Sequence, residues 1–167
     1  LAPKQKDAAL KQVVRYAERH EMDWDRIKKA EVDVSLVKED YILKGKIDLI
    51  RGKNDTVEII DFKSQKKPDL VNDKGMLEQY RRQLEIYAHI VEEREKVSVS
   101  KLHLYYTGEE SGSPYVSFDK DSSHIEQTIQ AFDKVVGNIE GCKFAISKRP
   151  VKLCGTCDMQ SYCNVKN

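Results

Sequence analysis

Apolar positions recur along this chain with two periods, and the alternation between them predicts its elements. Residues 4–20 read as an amphipathic helix whose apolar face carries Leu10, Val13, Val14 and Ala17. "EVDVSLV" at 31–37 alternates with a period of two, as a half-buried strand does. "YILKGKIDLIR" at 41–51 and residues 56–63 are two further strands, joined by the turn "GKND" into a hairpin. "KKPD" at 66–69 ends the third strand, and a helix follows over 76–94 with Tyr80, Leu84, Tyr87, Ala88 and Val91 as its apolar stripe. A strand at 97–106, a turn at 107–114 and a short return strand "YVSF" come next. The last helix spans 123–140, with Ile125, Ile129, Phe132, Val136 and Ile139 spaced by threes and fours. The order α-β-β-β-α-β-β-α predicts an α/β fold, a mixed central β-sheet flanked by helices.

One strand breaks its own pattern. In "VEIIDFKSQKK" at 57–67 an aspartate and a lysine, Asp61 and Lys63, stand where the inner-face apolar run would continue. Alternate strand residues share a face, so Asp61 and Lys63 point the same way as Val57 and Ile59. On the preceding strand Asp48 shares a face with Ile42 and Ile50. With a four-residue loop from Lys53 to Thr56, Asp48 pairs directly with Asp61; a two-residue loop at Lys53–Asn54 sets them diagonal, on the same face. Like charges paired across a sheet are destabilising, more so when buried. A divalent cation between them removes the conflict, and carboxylate oxygens suit a hard ion such as Mg²⁺ or Mn²⁺. An ammonium two residues on can neutralise developing negative charge or orient a water. Together these are the equipment for phosphodiester hydrolysis. The plainer alternative is a half-exposed hairpin in which Lys63 pairs with an aspartate. In the following helix Gln79, Gln83 and Tyr87 form a polar-edged stripe beside the apolar face, able to bind phosphate or support the carboxylates.

Composition bounds this picture. A chain of 167 residues, 40% hydrophobic and 34% charged, predicts one domain with a single core and a heavily charged surface. We read it as a helical lead-in (1–30), a core (31–140) and a cysteine-rich tail (141–167). No apolar run reaches the length of a membrane span and no signal-peptide pattern opens the chain, so no membrane partner and a cytoplasmic location are expected. The chain starts at Leu1 rather than Met, and is expected to be a piece of a longer one. The formal net charge of +1 argues against a simple nucleic-acid coat protein, though not against DNA as a substrate. Basic residues do cluster locally, at Lys63, Lys66 and Lys67, at Arg81 and Arg82, and at Lys143, Lys148, Arg149 and Lys152.

The motifs resemble the PD-(D/E)xK nuclease superfamily, with its restriction-endonuclease-like core, and within it the RecB-like branch. "GKIDLI" at 45–50 is similar to that branch's first acidic motif, "EIIDFKS" at 58–64 to its D-x-K motif, and "QLEIYA" at 83–88 to its Q-x-x-x-Y motif. The run "YRRQLEIYAHIVEE" and the tail look most like the nuclease domain at the C-terminus of UvrD/Rep-like superfamily I DNA helicases. The resemblance implies a metal-dependent DNA nuclease in repair or recombination, attached to or associated with a helicase motor. It implies that Asp48 and Asp61 bind Mg²⁺ or Mn²⁺ with the Phe62 carbonyl. It further implies that Lys63 positions or activates the attacking water, that Glu31 assists the metal, and that Gln83 and Tyr87 complete the site or touch DNA. No Walker-type loop occurs in the chain, so an ATPase motor would be supplied elsewhere. One departure stands out. RecB-like nucleases usually carry a metal-binding histidine on a helix well before the first strand; His20 lacks the flanking glycine and reads as a surface histidine.

The four cysteines, Cys142, Cys154, Cys157 and Cys163, all lie near the C-terminus, which favours a metal or cluster site in a reducing compartment over scattered disulfides. C-x2-C-x5-C at 154, 157 and 163 can hold zinc or an iron–sulfur cluster. The resemblance implies a 4Fe-4S cluster whose fourth ligand lies upstream, with Cys142 the less favoured candidate. His89, His103 and His124 read as structural or surface residues. Two rivals remain: a catalytically inactive nuclease-fold module that binds DNA or a partner, and a zinc- or cluster-bearing structural domain.

Overall fold

The computed structural model describes residues 3–143 together with 154, 155, 157 and 158. The chain divides into two compact units, Leu1–Ile129 and Gln130–Asn167. The first holds a five-stranded sheet in which sequence order is also spatial order. Helix α1 (Pro3–Arg19) leads through a short 3-10 helix (Glu21–Arg26) into β1 (Ile27–Val37), β2 (Ile42–Lys53) and β3 (Thr56–Lys63). Helix α2 (Lys74–Glu95) then carries the chain back to β4 (Ser98–Tyr106) and β5 (Tyr115–Asp119), and α3 (Ser122–Glu140) follows. β3 and β4 are parallel and the other pairings antiparallel, because only β3 and β4 are joined by a helical crossover. The mixed α/β architecture is the one expected, apart from the 3-10 helix and a β1 that begins four residues earlier than its alternation suggested.

The β2–β3 hairpin turns at Asn54–Asp55, with Lys53 opposite Thr56. That is the register in which Lys53 to Thr56 form the loop. Asn54 supplies the left-handed backbone the tight turn needs, with φ 53°. Gly52 sits where the two strands press closest. A Cβ there would overlap the Thr56 carbonyl oxygen and come 2.8 Å from Val57 Cα.

Helices cover both faces of the sheet, so successive residues of β3, Ile59, Ile60 and Asp61, are all buried. On one face Leu49, Ile60 and Tyr105 form a buried cluster. Against it Tyr16 of α1 packs edge-on to Phe62 and Tyr105, with centroids 5.2 and 5.1 Å apart. The opposite face lies under α2, whose Leu77, Leu84, Ala88 and Val91 are buried. Leu84, Ala88 and Val91 belong to the expected stripe. Buried Glu85 accepts from Arg81 and Thr128 and contacts His124 Nδ1 at 2.6 Å, tying the start of α3 to α2.

Two expectations are corrected here. The apolar face of α1 does not form the packing surface: Leu10, Val13 and Val14 are 63%, 65% and 46% exposed. The helix docks instead through Tyr16 and the polar Gln12, Arg15 and Arg19. The three polar residues meet backbone acceptors. They donate to the carbonyls of Ser64, Thr107, Glu109 and Glu110, at the strand ends where the ladder leaves acceptors free. His20 is not a surface residue either. It is 8% exposed, stacked on Tyr16 at 4.5 Å, with Nε2 3.4 Å from Tyr115 Oη.

His103 is also buried, its Nδ1 2.8 Å from Ser117 Oγ. Burial holds both imidazoles below their ordinary value of 6.5, because desolvation disfavours the charged form. The unfolded chain therefore takes up protons in a range where the folded chain resists them. Stability from His20 and His103 is fully present above pH 6.5 and is lost as pH falls below it. Urea unfolding should show a lower midpoint at pH 5.5 than at 7.5, and the slope should flatten in His20→Gln/His103→Gln. An unchanged slope in that double variant would refute the assignment.

Candidate active site

Hydrogen-bonded pairing between β2 and β3 runs from the turn as far as Leu49 and Ile60. One step beyond, the same register sets Asp48 opposite Asp61. The strands stop exchanging backbone bonds there, and the Asp48 side chain takes the freed donor: Phe62 N–H donates to Asp48 Oδ2 at 2.7 Å. The register of β1 on β2, with Ala30 on Leu49 and Val32 on Ile47, puts Glu31 opposite Asp48. Three acidic positions, Glu31, Asp48 and Asp61, thus lie in one row across three strands. Glu31 has φ 54°, left-handed backbone inside a strand and costly for a residue with a Cβ. Its carboxylate is exposed and ion-paired to Lys46 rather than turned to Asp48.

The two aspartates differ in environment. Asp61 is 7% exposed. Its Oδ2 lies 2.6 Å from Lys63 Nζ, an ion pair outside hydrogen-bonding geometry, and has no hydrogen-bond partner among the described residues. The Asp48 carboxyl is pushed above the usual carboxylate range, chiefly by burial and further by the charges of Asp61 and Glu31; the Phe62 N–H and Lys63 oppose the shift. The plainer sequence reading foresaw a lysine–aspartate pair on a half-exposed hairpin. The pair exists, but in a buried setting, its side chains 16% and 10% exposed.

A divalent cation fits this donor set. Asp61 Oδ2 is buried and lacks a hydrogen bond, and Asp48 is disfavoured as an anion next to Asp61 unless positive charge joins them. Mg²⁺ characteristically binds through one or two carboxylates and keeps waters for the rest. Among the described residues no group of three or more His, Cys, Asp or Glu forms a cage around one point, so waters and substrate oxygens would complete the shell.

Gln83 and Tyr87 sit on α2, with Gln83 Nε2 donating to Tyr87 Oη at 2.9 Å. Their hydrogen bond is to each other rather than to Asp48, Asp61 or Lys63. The Tyr87 ring lies on Gly45, where a Cβ would overlap Cε1 and come 3.1 Å from Cδ1. The glycine of "GKIDLI" therefore lets the helix approach β2.

Two residues of the site were not singled out in the sequence. Lys63 Nζ lies over the Tyr80 ring, 4.1 Å from its centroid. Tyr106, opposite Lys63 across the β3–β4 ladder, is fully buried; its hydroxyl has no hydrogen-bond partner among the described residues. Burial first, then the neighbourhood of Tyr80, Asp61 and Asp73, pushes the Tyr106 phenol up to about 12. Tyr80 reads as part of the apolar stripe. Its signal was its place one turn before Gln83 on the same helix face.

In the second unit Cys142 and Cys157 are exposed thiols, Cys154 is half-buried, and Cys157 N–H donates to the Cys154 carbonyl at 3.5 Å. Cys163 lies outside the described residues, so the expected cluster motif is only partly in view.

No helix among the described residues is long and apolar enough to cross a membrane. No curated protein matches the chain. Among the solved structures that share its fold are the following two. SSO0001 is 17% identical with a TM-score of 0.52, over 99% of this chain and 72% of its own. A protein from Eubacterium rectale, provisionally named an exonuclease, is 14% identical with a TM-score of 0.55, over 94% of this chain and 61% of its own. The family model of the PD-(D/E)XK nuclease superfamily matches residues 2–164. That match covers the row of acids, the lysine beside them and the sheet that carries both, and the chain belongs to the PD-(D/E)XK nuclease superfamily.

Proposed function

We propose that this chain is a Mg²⁺- or Mn²⁺-dependent deoxyribonuclease domain. The observation that carries the reading is the convergence of Asp48, Asp61 and Lys63 where β2 and β3 part, with Asp61 Oδ2 buried and free of hydrogen bonds. Asp48, Asp61 and the Phe62 carbonyl would hold the ion, which when bound neutralises charge on the scissile phosphate and the leaving oxygen. The Lys63 ammonium orients the attacking water and offsets the charge that develops at phosphorus. The water adds to phosphorus and the P–O ester bond breaks, leaving one phosphate monoester end and one hydroxyl end. Glu31 joins only by exchanging its Lys46 contact for one toward Asp48. Gln83 and Tyr87 act through each other at the edge of the site.

The likeness of the motif runs supports a place in the RecB-like branch. We infer a parent chain or partner with a helicase motor, a role in DNA repair or recombination, and a reducing, cytoplasmic setting for the cysteines. Cys154, Cys157 and Cys163 would hold a 4Fe-4S cluster, or Zn²⁺ instead. The pairing of the Glu31 carboxylate with Lys46, away from Asp48, favours as a second reading a nuclease-fold module that binds DNA without cleaving it.

The test is cleavage of linear single- and double-stranded DNA with Mg²⁺ or Mn²⁺. Removing the ion with EDTA should stop cleavage, and Asp61→Asn should slow it about 100-fold or more, as loss of a charge-stabilising group does. Cleavage that survives EDTA, or Asp61→Asn at parental rate, would sink the reading. DNA binding without cleavage, indifferent to Asp61→Asn, would establish the second one.

A further inference from the structure

The two partners of the Lys63 ammonium differ in one respect that matters for the reaction. Asp61 Oδ2, at 2.6 Å, is the atom a divalent cation would claim. The face of the Tyr80 ring, 4.1 Å from Nζ to its centroid, is a contact that a cation bound to the carboxylates does not compete for. The ammonium is mostly removed from water, where a ring face attracts a cation more strongly than at an exposed site. The ring is held in place by its helix. Leu77 and Leu84, three residues before and four after Tyr80 on the same face of α2, are 7% and 0% exposed. Tyr106 backs Lys63 from β4, its partner in the parallel ladder. A long lysine side chain next to a site that gains a cation is pushed away by that cation unless something else retains it.

We propose that Tyr80 is a positioning residue for Lys63: its ring face keeps the ammonium beside the carboxylates once a metal ion has taken Asp61. The proposal rests on the nuclease reading for its purpose, but the contact can be observed without any cleavage. Protons above a ring face are shifted upfield, so in lysine-labelled protein the Lys63 ε-CH2 signal, assigned by its absence in Lys63→Ala, should lie upfield of the other lysines. It should stay there when Mg²⁺ is added. It should keep that position in Tyr80→Phe and return to the common lysine position in Tyr80→Leu. In cleavage assays Tyr80→Phe should stay within about twofold of the parent, since the ring and not the hydroxyl makes the contact. Tyr80→Leu should lose about 10- to 100-fold, the scale of a misplaced catalytic group, and should add nothing on top of Lys63→Ala. An unshifted Lys63 signal in the parent, or one that leaves the ring on adding Mg²⁺, overturns the proposal even if Tyr80→Leu fails to fold. So does a loss in Tyr80→Leu that adds to that of Lys63→Ala. A ring-shifted Lys63 that persists with Mg²⁺ in a protein that never cleaves leaves the contact standing and overturns the nuclease reading instead.

Discussion

Lys63→Ala is expected to slow metal-dependent DNA cleavage by about 10²- to 10⁴-fold, the range for removing a group that positions or activates the reacting water. The position of Lys63 makes the loss large. It is the last residue of β3, in the sheet by its backbone and between Asp61 and the Tyr80 ring by its side chain. No other lysine contacts Asp61 among the described residues, so no neighbour replaces it. The substitution has a second consequence that separates it from a simple loss of activity. It leaves the buried Asp61 carboxylate without its cation, and an unpaired buried charge costs about 3–5 kcal/mol at most for a pair as enclosed as this. The metal-free variant should therefore melt lower than the parent, and Mg²⁺ should restore more of its stability than it adds to the parent. Thermal melts with and without the ion, run beside the cleavage assay, check both effects. A variant retaining more than about a tenth of parental activity would remove Lys63 from the chemistry, since that loss is smaller than proton-transfer groups produce.

The second large effect is on stability alone, at Gly52. Gly52→Ala puts a methyl group onto the Thr56 carbonyl oxygen and against Val57 Cα. Both obstacles are backbone, so no side chain can turn aside, and the hairpin must widen where Gly52 pairs with Val57. Val57 itself is buried, as are Ile59 and Ile50 beyond the pair, so the opening spreads into the core. A cost of about 3 kcal/mol or more is expected, at the upper end for overpacking. Gly45→Ala, by contrast, meets only the Tyr87 ring, which can move, and should cost less. Urea unfolding of the two variants tests the ordering. Equal losses would mean that the Gly52 backbone relaxes as easily as a side chain.

The hairpin shows why part of the candidate site is legible in the sequence. Side-chain period in a strand is two, and a short turn leaves few registers, so Asp48 and Asp61 were brought together by counting alone. Counting did not disclose that Asp48 would take the Phe62 N–H, because that bond depends on the strands parting at that step. Nor did it disclose what faces Lys63. Tyr80 and Lys63 lie on different elements, and the loop between β3 and α2 sets which turn of the helix passes over the strand end. Glu31 entered only through the family resemblance; its place opposite Asp48 and its contact with Lys46 belong to the structure.

By itself the sequence determined the element order, the common face of Asp48 and Asp61 and the identity of the charged residues that interrupt an apolar strand. Each is encoded over a few consecutive residues, as a periodicity or a turn. The tertiary structure decided which faces are covered. Leu10, Val13 and Val14 of α1 look outward, while the side that carries Tyr16 docks, its Gln12, Arg15 and Arg19 satisfying free carbonyls at the ends of β3 and β4. His20 is buried because Tyr105 and Tyr115, distant in the chain, close around it beside Tyr16, one turn before it in α1. An amphipathic pattern specifies that a face exists; only non-local partners specify what meets it, since burial is a property of the pair and not of either segment.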